Sequence, residues 1–153
     1  MILNRYFQKP YSRLGVMNNR LLESFSDKLC EDFEVMTPNS ANSVSNLSGG
    51  NMQKAILARE FSFDSPVLVI SQPTRGEDIG AIEFIHEKIL EKRNAGCAIL
   101  LVSADLDELF RLSDTLVTLY GGQITARFAA GQVDPSGISY YMTGGRQEGA
   151  LDA

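Results

Sequence analysis

One serine and two glycines stand directly before a predicted helix. Ser48, Gly49 and Gly50 precede the helical apolar pattern of Asn51 to Phe61. The amino end of a helix offers unpaired N–H groups and a positive dipole end, both of which attract phosphate. Glycine allows a ligand to approach the backbone closely. The segment could therefore bind phosphate, with the Ser48 hydroxyl as a further donor. The alternative is an ordinary loop whose serine caps the helix, because short motifs also arise by chance.

Apolar residues along the chain alternate between the periods of helices and strands. Residues 67–70 and 98–102 are continuous apolar runs, typical of parallel strands buried on both faces. Gly121-Gly122 predicts a tight hairpin turn, and residues 37–45 predict a loop. The predicted helices are 18–33, 51–61, 79–94, 105–112 and 135–142, and the hairpin strands are 116–120 and 123–128. This order predicts a parallel α/β core finished by an antiparallel hairpin.

The composition argues against several classes of protein. Of the 153 residues, 44% are apolar and 22% charged, which is typical of a globular domain, and the net charge is −5. The absence of a basic stripe argues against a nucleic-acid partner. The apolar run Ala98–Val102 is far shorter than the roughly 20 residues that cross a bilayer, so we expect any membrane role to involve a partner. Cys30 and Cys97 fit a reducing compartment, and Cys97, beside an apolar run, is predicted to be buried.

Three segments, in this order, resemble the motifs of an ABC transporter ATP-binding cassette. Leu47-Ser-Gly-Gly50, followed by Gln-Lys, resembles the signature loop. Val67-Leu-Val-Ile-Ser-Gln-Pro-Thr-Arg-Gly-Glu-Asp78 resembles the Walker B strand with its D-loop, and Ile99 to Glu108 resembles the strand that bears the switch histidine. Gln72-Pro-Thr-Arg-Gly76 and Gly80 to His86 are most similar to the second cassette of sugar or nucleoside importers.

The resemblance implies a partial P-loop NTPase fold of the α/β class. This fold would have parallel strands, part of the helical subdomain and a C-terminal antiparallel hairpin. Residues 1–45 would be a remnant of the helical subdomain and its loop, 46–146 the C-terminal part of the ATPase core, and 147–153 a tail. Because the sequence contains no Gly-Lys dipeptide, it lacks the P-loop that cradles phosphates. We therefore expect the chain to be the C-terminal part of a cassette.

Three positions depart from the family's catalytic pattern. Ser71 and Gln72 stand where the family has an aspartate that helps to hold Mg²⁺ and a glutamate that acts on the attacking water. Ser71 carries no charge for a hard cation, and Gln72 cannot take a proton. Ala104 replaces the switch histidine, while His86, the only histidine, is predicted to lie on a solvated helix face. The chain alone is therefore predicted to be inactive as an ATPase.

The signature loop, by contrast, is intact. In the family, each ATP lies between the P-loop of one cassette and the signature loop of the other. The resemblance therefore implies that this chain contacts ATP held by a partner cassette, and that ATP and Mg²⁺ occupy the composite dimer site without being bound by this chain alone. The residues implied in that contact are Leu47, Ser48, Gly49, Gly50 and Asn51.

Two acidic features have alternative explanations. Asp78 would be the D-loop aspartate that reaches across the dimer, but aspartate is also a favoured helix cap. Asp105, Asp107 and Glu108 could suggest a metal site, yet they are better explained as favourable charges in the first turn of a helix. We predict no metal ligands in this chain.

The resemblance implies a cassette of a simple-sugar or nucleoside importer that donates its signature loop to power solute uptake. Its partners would be another cassette and transmembrane permease subunits, which would hold it at the cytoplasmic face of the cell membrane. One alternative is a non-catalytic relic or interaction fragment with no nucleotide role. Another is an ABC protein that acts on ribosomes or DNA, against which the acidic balance argues.

Overall fold

The computed structural model describes residues 6–145, and its element order follows the predicted alternation of helices and strands. The helices are α1 (Asn19–Asp32), α2 (Gly49–Phe61), α3 (Ile79–Asn94), α4 (Leu106–Leu112) and α5 (Pro135–Met142). The strands are β1 (Ser12–Arg13), β2 (Val16–Met17), β3 (Val67–Ser71), β4 (Ala98–Val102), β5 (Thr115–Tyr120) and β6 (Gln123–Ala129). A single 3₁₀ turn, Val44–Asn46, lies within the stretch before α2.

The described residues form two compact units. The first contains the described residues up to Leu68 together with Pro73–Ala98, and the second contains Val69–Gln72 and the described residues from Ile99 onward. None of the helices in residues 6–145 combines the length and the apolar character needed to cross a bilayer. The predicted division at residues 45 and 146 remains a prediction, and the predicted tail, 147–153, lies outside the described residues.

Aromatic rings from three elements meet in the first unit. The ring of Phe33, which follows α1, is 6.1 Å from that of Phe61 in α2 and 6.2 Å from that of Phe84 in α3. Leu22, Leu29, Leu57 and Ile85 are among the buried apolar residues of the same helices. These side chains give the three helices a shared core, as the amphipathic patterns predicted.

A short hairpin of β1 and β2 precedes α1, and the sequence did not predict it. Ser12 pairs with Met17 and Arg13 with Val16. The turn between the two strands contains Leu14 and Gly15, with φ of 52° and 79°. Strands this short carry no periodic signal, which is why the pattern of apolar residues missed them.

The strands β3 and β4 run parallel, because Pro66 accepts from the Ala98 N–H at one end and Val102 accepts from the Gln72 N–H at the other. The expectation that both faces are buried is wrong. Val69, Leu100 and Val102 are 66%, 58% and 47% exposed. Within residues 6–145 the sheet has two strands, and no further strand extends it. A continuous apolar run indicates a strand that can be buried on both faces, but burial also requires other elements to pack on each face.

The hairpin of β5 and β6 forms the centre of the second unit. Its core consists of Leu116, Ala126, Phe128 and Ile138, so that α5 packs on the hairpin. The register shifts between Thr118 and Leu119, which leaves Thr125 as an extra residue in β6. Such a bulge turns two consecutive side chains inward, here Thr125 and Ala126.

Two further predictions of burial are wrong. His86, expected on a solvated face, is 4% exposed. The apolar stripe of α3 occupies positions i, i+3, i+4 and i+7 from Ile82, and His86 holds the i+4 position between Ile85 and Ile89. Cys97, expected to be buried, is half-buried because it lies in the turn between α3 and β4.

Candidate functional site

Ser48 caps α2 and so fixes the amino end of the helix. Its backbone is extended, with φ −64° and ψ 163°, and its side chain accepts from the Asn51 N–H at 3.4 Å. The side-chain amide of Asn51 also donates to the Ser48 Oγ, at 3.1 Å. Both lone pairs of the hydroxyl are thus used, and its proton remains available to an acceptor from outside. Ser48 therefore caps the helix, as the sequence allowed, and its hydroxyl can still donate a hydrogen bond to a ligand.

The helix begins at Gly49, two residues before the predicted start. The N–H groups of Gly49 and Gly50 have no acceptor within the part of the chain that the structure describes. A Cβ added at Gly49 would meet no heavy atom within 4 Å, so no neighbour in this unit requires a glycine there. The open position and the free donors are suited to an anion that approaches from outside.

The side chain of Asn51 links α2 to the segment that follows α1. Its Oδ1 accepts from the Met36 N–H at 2.8 Å, which orients the amide so that its nitrogen faces Ser48. Leu47, the residue before the cap, is half-buried and donates its N–H to the Val44 carbonyl. The five predicted contact residues therefore surround one helix end.

Glu77 also lies at this helix end, and the sequence did not single it out. Its Oε2 is 2.7 Å from the position that a Cβ on Gly50 would take, and its Oε1 is 3.8 Å from it. An acid in a turn is usually solvated, so nothing in the local pattern could have predicted this position. The turn that carries Glu77 is attached to α2 through Gln53, whose side-chain nitrogen donates to the Pro73 carbonyl at 3.0 Å.

Asp78 is the N-cap of α3, since its carboxylate accepts from the Ala81 N–H at 3.0 Å. The cap explanation is thus confirmed by geometry, while the role as a D-loop residue remains a prediction. Asp105 caps α4 in the same way by accepting from the N–H groups of Asp107 and Glu108. These acids serve the amino end of a helix, as expected.

The three residues predicted to depart from the family's catalytic pattern lie at the carboxyl ends of β3 and β4 in the second unit. Ser71 ends β3, and the Gln72 N–H donates to Val102 at the end of β4, at 2.8 Å. Ala104 follows β4 by two residues and is exposed. Gln72 has φ 51°, in the left-handed region that few residues other than glycine adopt. None of the three predicted residues carries a charge, so they do not fit a divalent cation.

An open cleft of about 510 Å³ lies elsewhere in the first unit, between α1 and the segment that follows it. The acids in its lining are Asp27, Glu31 and Glu34, and Lys54 lies 3.5 Å from the Glu34 carboxylate. None of the predicted contact residues lines it.

Relatives of known role match almost the whole chain. The guanosine import ATP-binding protein NupO of Bacillus subtilis is 39% identical over 150 residues, which is 98% of this chain and 29% of NupO. The glucose import ATP-binding protein TsgD13 of Haloferax volcanii is 43% identical over 126 residues, 81% of this chain and 23% of that protein. The chain thus spans less than a third of the length of these relatives. No protein-family model matches it.

Solved structures agree in fold. A dimeric bacterial ABC transporter cassette superposes with a TM-score of 0.65 at 21% identity, over 77% of this chain and 51% of that one. A nucleotide-free ABC transporter cassette gives the same score and identity over 88% and 56% of the two chains. The α/β fold, with its parallel pair and antiparallel hairpin, is therefore that of part of an ABC cassette.

Proposed function

This chain is a homologue of the ATP-binding proteins of sugar and nucleoside importers, and from this premise we propose that it supplies the signature loop to an ATP held by a partner cassette. The amino end of α2 would close over the terminal phosphate. Binding there would favour association of the two cassettes, and that association would drive solute uptake through permease subunits in the membrane.

The open amino end of α2 is the observation that carries the proposal. The N–H groups of Gly49 and Gly50 and the hydroxyl of Ser48 are donors without an acceptor in residues 6–145. Fixed donors at a helix end stabilise phosphate without reorganising as it arrives. The empty space beside Gly49 allows the phosphate to come close to the backbone.

Hydrolysis is assigned to the partner cassette. Ser71, Gln72 and Ala104 offer neither a carboxylate for Mg²⁺ nor a base for water. Mg²⁺ would therefore be held with the nucleotide by the partner. The importer relatives support a partner cassette, permease subunits and a position on the cytoplasmic face of the membrane, all of which belong to the proposal.

Gly49→Asp in the assembled importer tests this role. The carboxylate would fill the space that glycine leaves and would repel the phosphate in a poorly screened site. We expect ATP-driven uptake and ATPase activity in reconstituted membranes to fall to background. Gly121→Asp is the matched control, since it adds the same charge at an open turn position where aspartate is well tolerated.

The same experiment separates the proposal from the alternative of an inert relic. Wild-type uptake by Gly49→Asp would contradict signature donation and favour the relic. Gln72→Ala should leave turnover close to that of the wild type. Loss of activity in Gln72→Ala would show that the working site belongs to this cassette rather than to its partner.

A further inference from the structure

A carboxylate lies against the helix end to which the phosphate contact is assigned. Glu77 places its Oε2 only 2.7 Å from where a Cβ on Gly50 would be. That distance is too short for a real Cβ, so the carboxylate can occupy this place only because residue 50 has no side chain. Gly50 therefore accommodates an anion of the chain itself.

The turn that carries Glu77 is held on the same side of α2. Gln53 lies one helical turn after Gly50, on the same face, and its side chain binds the Pro73 carbonyl. Pro73 is fully buried, and the Glu77 N–H donates to the Thr74 carbonyl at 3.2 Å. Gly76, with φ 80°, makes the left-handed step that continues the turn into Glu77. The position of the carboxylate thus follows from an anchored turn.

No acidic residue in the first turn of α2 supplies a negative charge to this helix end. Asp107 and Glu108 supply acids to the first turn of α4, whereas α2 has none there. Within residues 6–145 the Glu77 carboxylate has no hydrogen bond or ion pair. A negative charge is favourable beside the positive end of a helix dipole. Glu77 therefore places a negative charge beside the amino end of α2.

We propose that Glu77 is a built-in competitor of the terminal phosphate of a nucleoside triphosphate at the amino end of α2. The inference rests on the proposed signature role. Without nucleotide, the carboxylate complements the helix end. When a phosphate approaches from the partner cassette, two negative charges meet at one helix end and repel each other, and the side chain must turn away. Glu77 thereby raises the ATP concentration at which the cassettes associate.

Glu77→Gln in the assembled importer tests the competition, because it removes the charge and preserves the size of the side chain. We expect the ATP concentration that gives half-maximal uptake to fall about two- to fivefold. The difference should shrink at high ionic strength, since the competing charge is partly exposed. Glu87→Gln removes an equal charge from an exposed position of α3 and should leave the half-maximal concentration unchanged.

Each outcome decides the inference. An unchanged half-maximal ATP concentration in Glu77→Gln would overturn it, and so would an increase, which would make Glu77 a support of the loop instead of a competitor. If Gly49→Asp abolishes uptake while Glu77→Gln has no effect, the signature role stands and only the competition fails. If Gly49→Asp has no effect, the signature role itself fails.

Discussion

The single residues that the sequence analysis related to an ATP site divide into two parts. Ser48 and Gly49 offer donors suited to phosphate, and both are placed by one helix end. Ser71 and Gln72, at the end of β3, carry no charge for a cation and no base for a water. Donors fixed by a backbone act without a proton transfer of their own, so the first part can work in the absence of the second.

Cys30 offers a prediction at the residue scale. Burial raises the pKa of its thiol, and the nearby Asp27 carboxylate raises it further. Since the thiolate is the reactive form, alkylation of Cys30 by iodoacetamide should rise at higher pH in the folded chain than in the urea-unfolded chain. Asp27→Asn should increase the rate near neutral pH by about two- to threefold. Mass spectrometry of the Cys30 peptide over a pH series measures both.

The control is Asp32→Asn, which removes an acid that pairs with Lys28 on the same helix and should leave the profile unchanged. Identical pH profiles for folded and unfolded Cys30 would contradict the prediction. By linkage, the raised pKa contributes stability that is fully present below the pKa of the unfolded thiol. That contribution is lost as the pH rises through the pKa of the folded thiol.

Among the elements, the bulged hairpin depends on one buried hydroxyl. Thr125 donates to the Tyr141 carbonyl at 2.8 Å, so its single proton is used there, and Thr118 donates to Thr125 at 2.8 Å. Thr125→Val removes both hydrogen bonds of this hydroxyl, although the Tyr141 carbonyl still accepts from the Gly144 N–H at 3.3 Å and the Thr118 hydroxyl still reaches the Ala126 carbonyl at 3.4 Å. We expect a loss of about 1–3 kcal/mol in the free energy of unfolding, measured by urea titration.

Thr115→Val in β5 is the matched control for the hairpin. It makes the same exchange at an exposed position and should change the free energy of unfolding by less than about 0.5 kcal/mol. Equal effects of the two substitutions would show that the buried hydroxyl contributes nothing specific to the bulge.

The sequence predicted every α-helix of the described chain and the two-residue turn of the hairpin, because a helix spans several periods and the turn has strict requirements, but it did not predict the register shift in the hairpin. It could not predict what covers a face. The exposed sides of β3 and β4 and the burial of His86 both depend on packing between elements. Ser48, Gly49 and Gly50 lie at a helix end, as the sequence predicted, whereas Glu77 reaches that end only through the folded turn.

At the scale of the whole molecule, the chain matches part of the fold of a cassette but lacks the motif that holds the phosphates. The chain aligns with 51% of a solved cassette, and its sequence contains no Gly-Lys of a P-loop. Ser71→Asp with Gln72→Glu would introduce the two carboxylates that the family resemblance implies at these positions, but it would not supply a P-loop. We therefore expect the 153-residue chain with both changes to release no more phosphate from ATP than the unchanged chain. A Mg²⁺-dependent rate that follows the protein through purification would contradict this.

The turn between β5 and β6 has a practical consequence. Gly121 and Gly122 both have left-handed φ, and a Cβ on either would meet nothing within 4 Å. Added chain at an exposed loop tip costs little, because the entropy of closing a loop grows slowly with its length. A short fluorophore-binding peptide between the two glycines would therefore introduce a spectroscopic label into the protein. It would do so without altering any residue to which a phosphate contact is assigned.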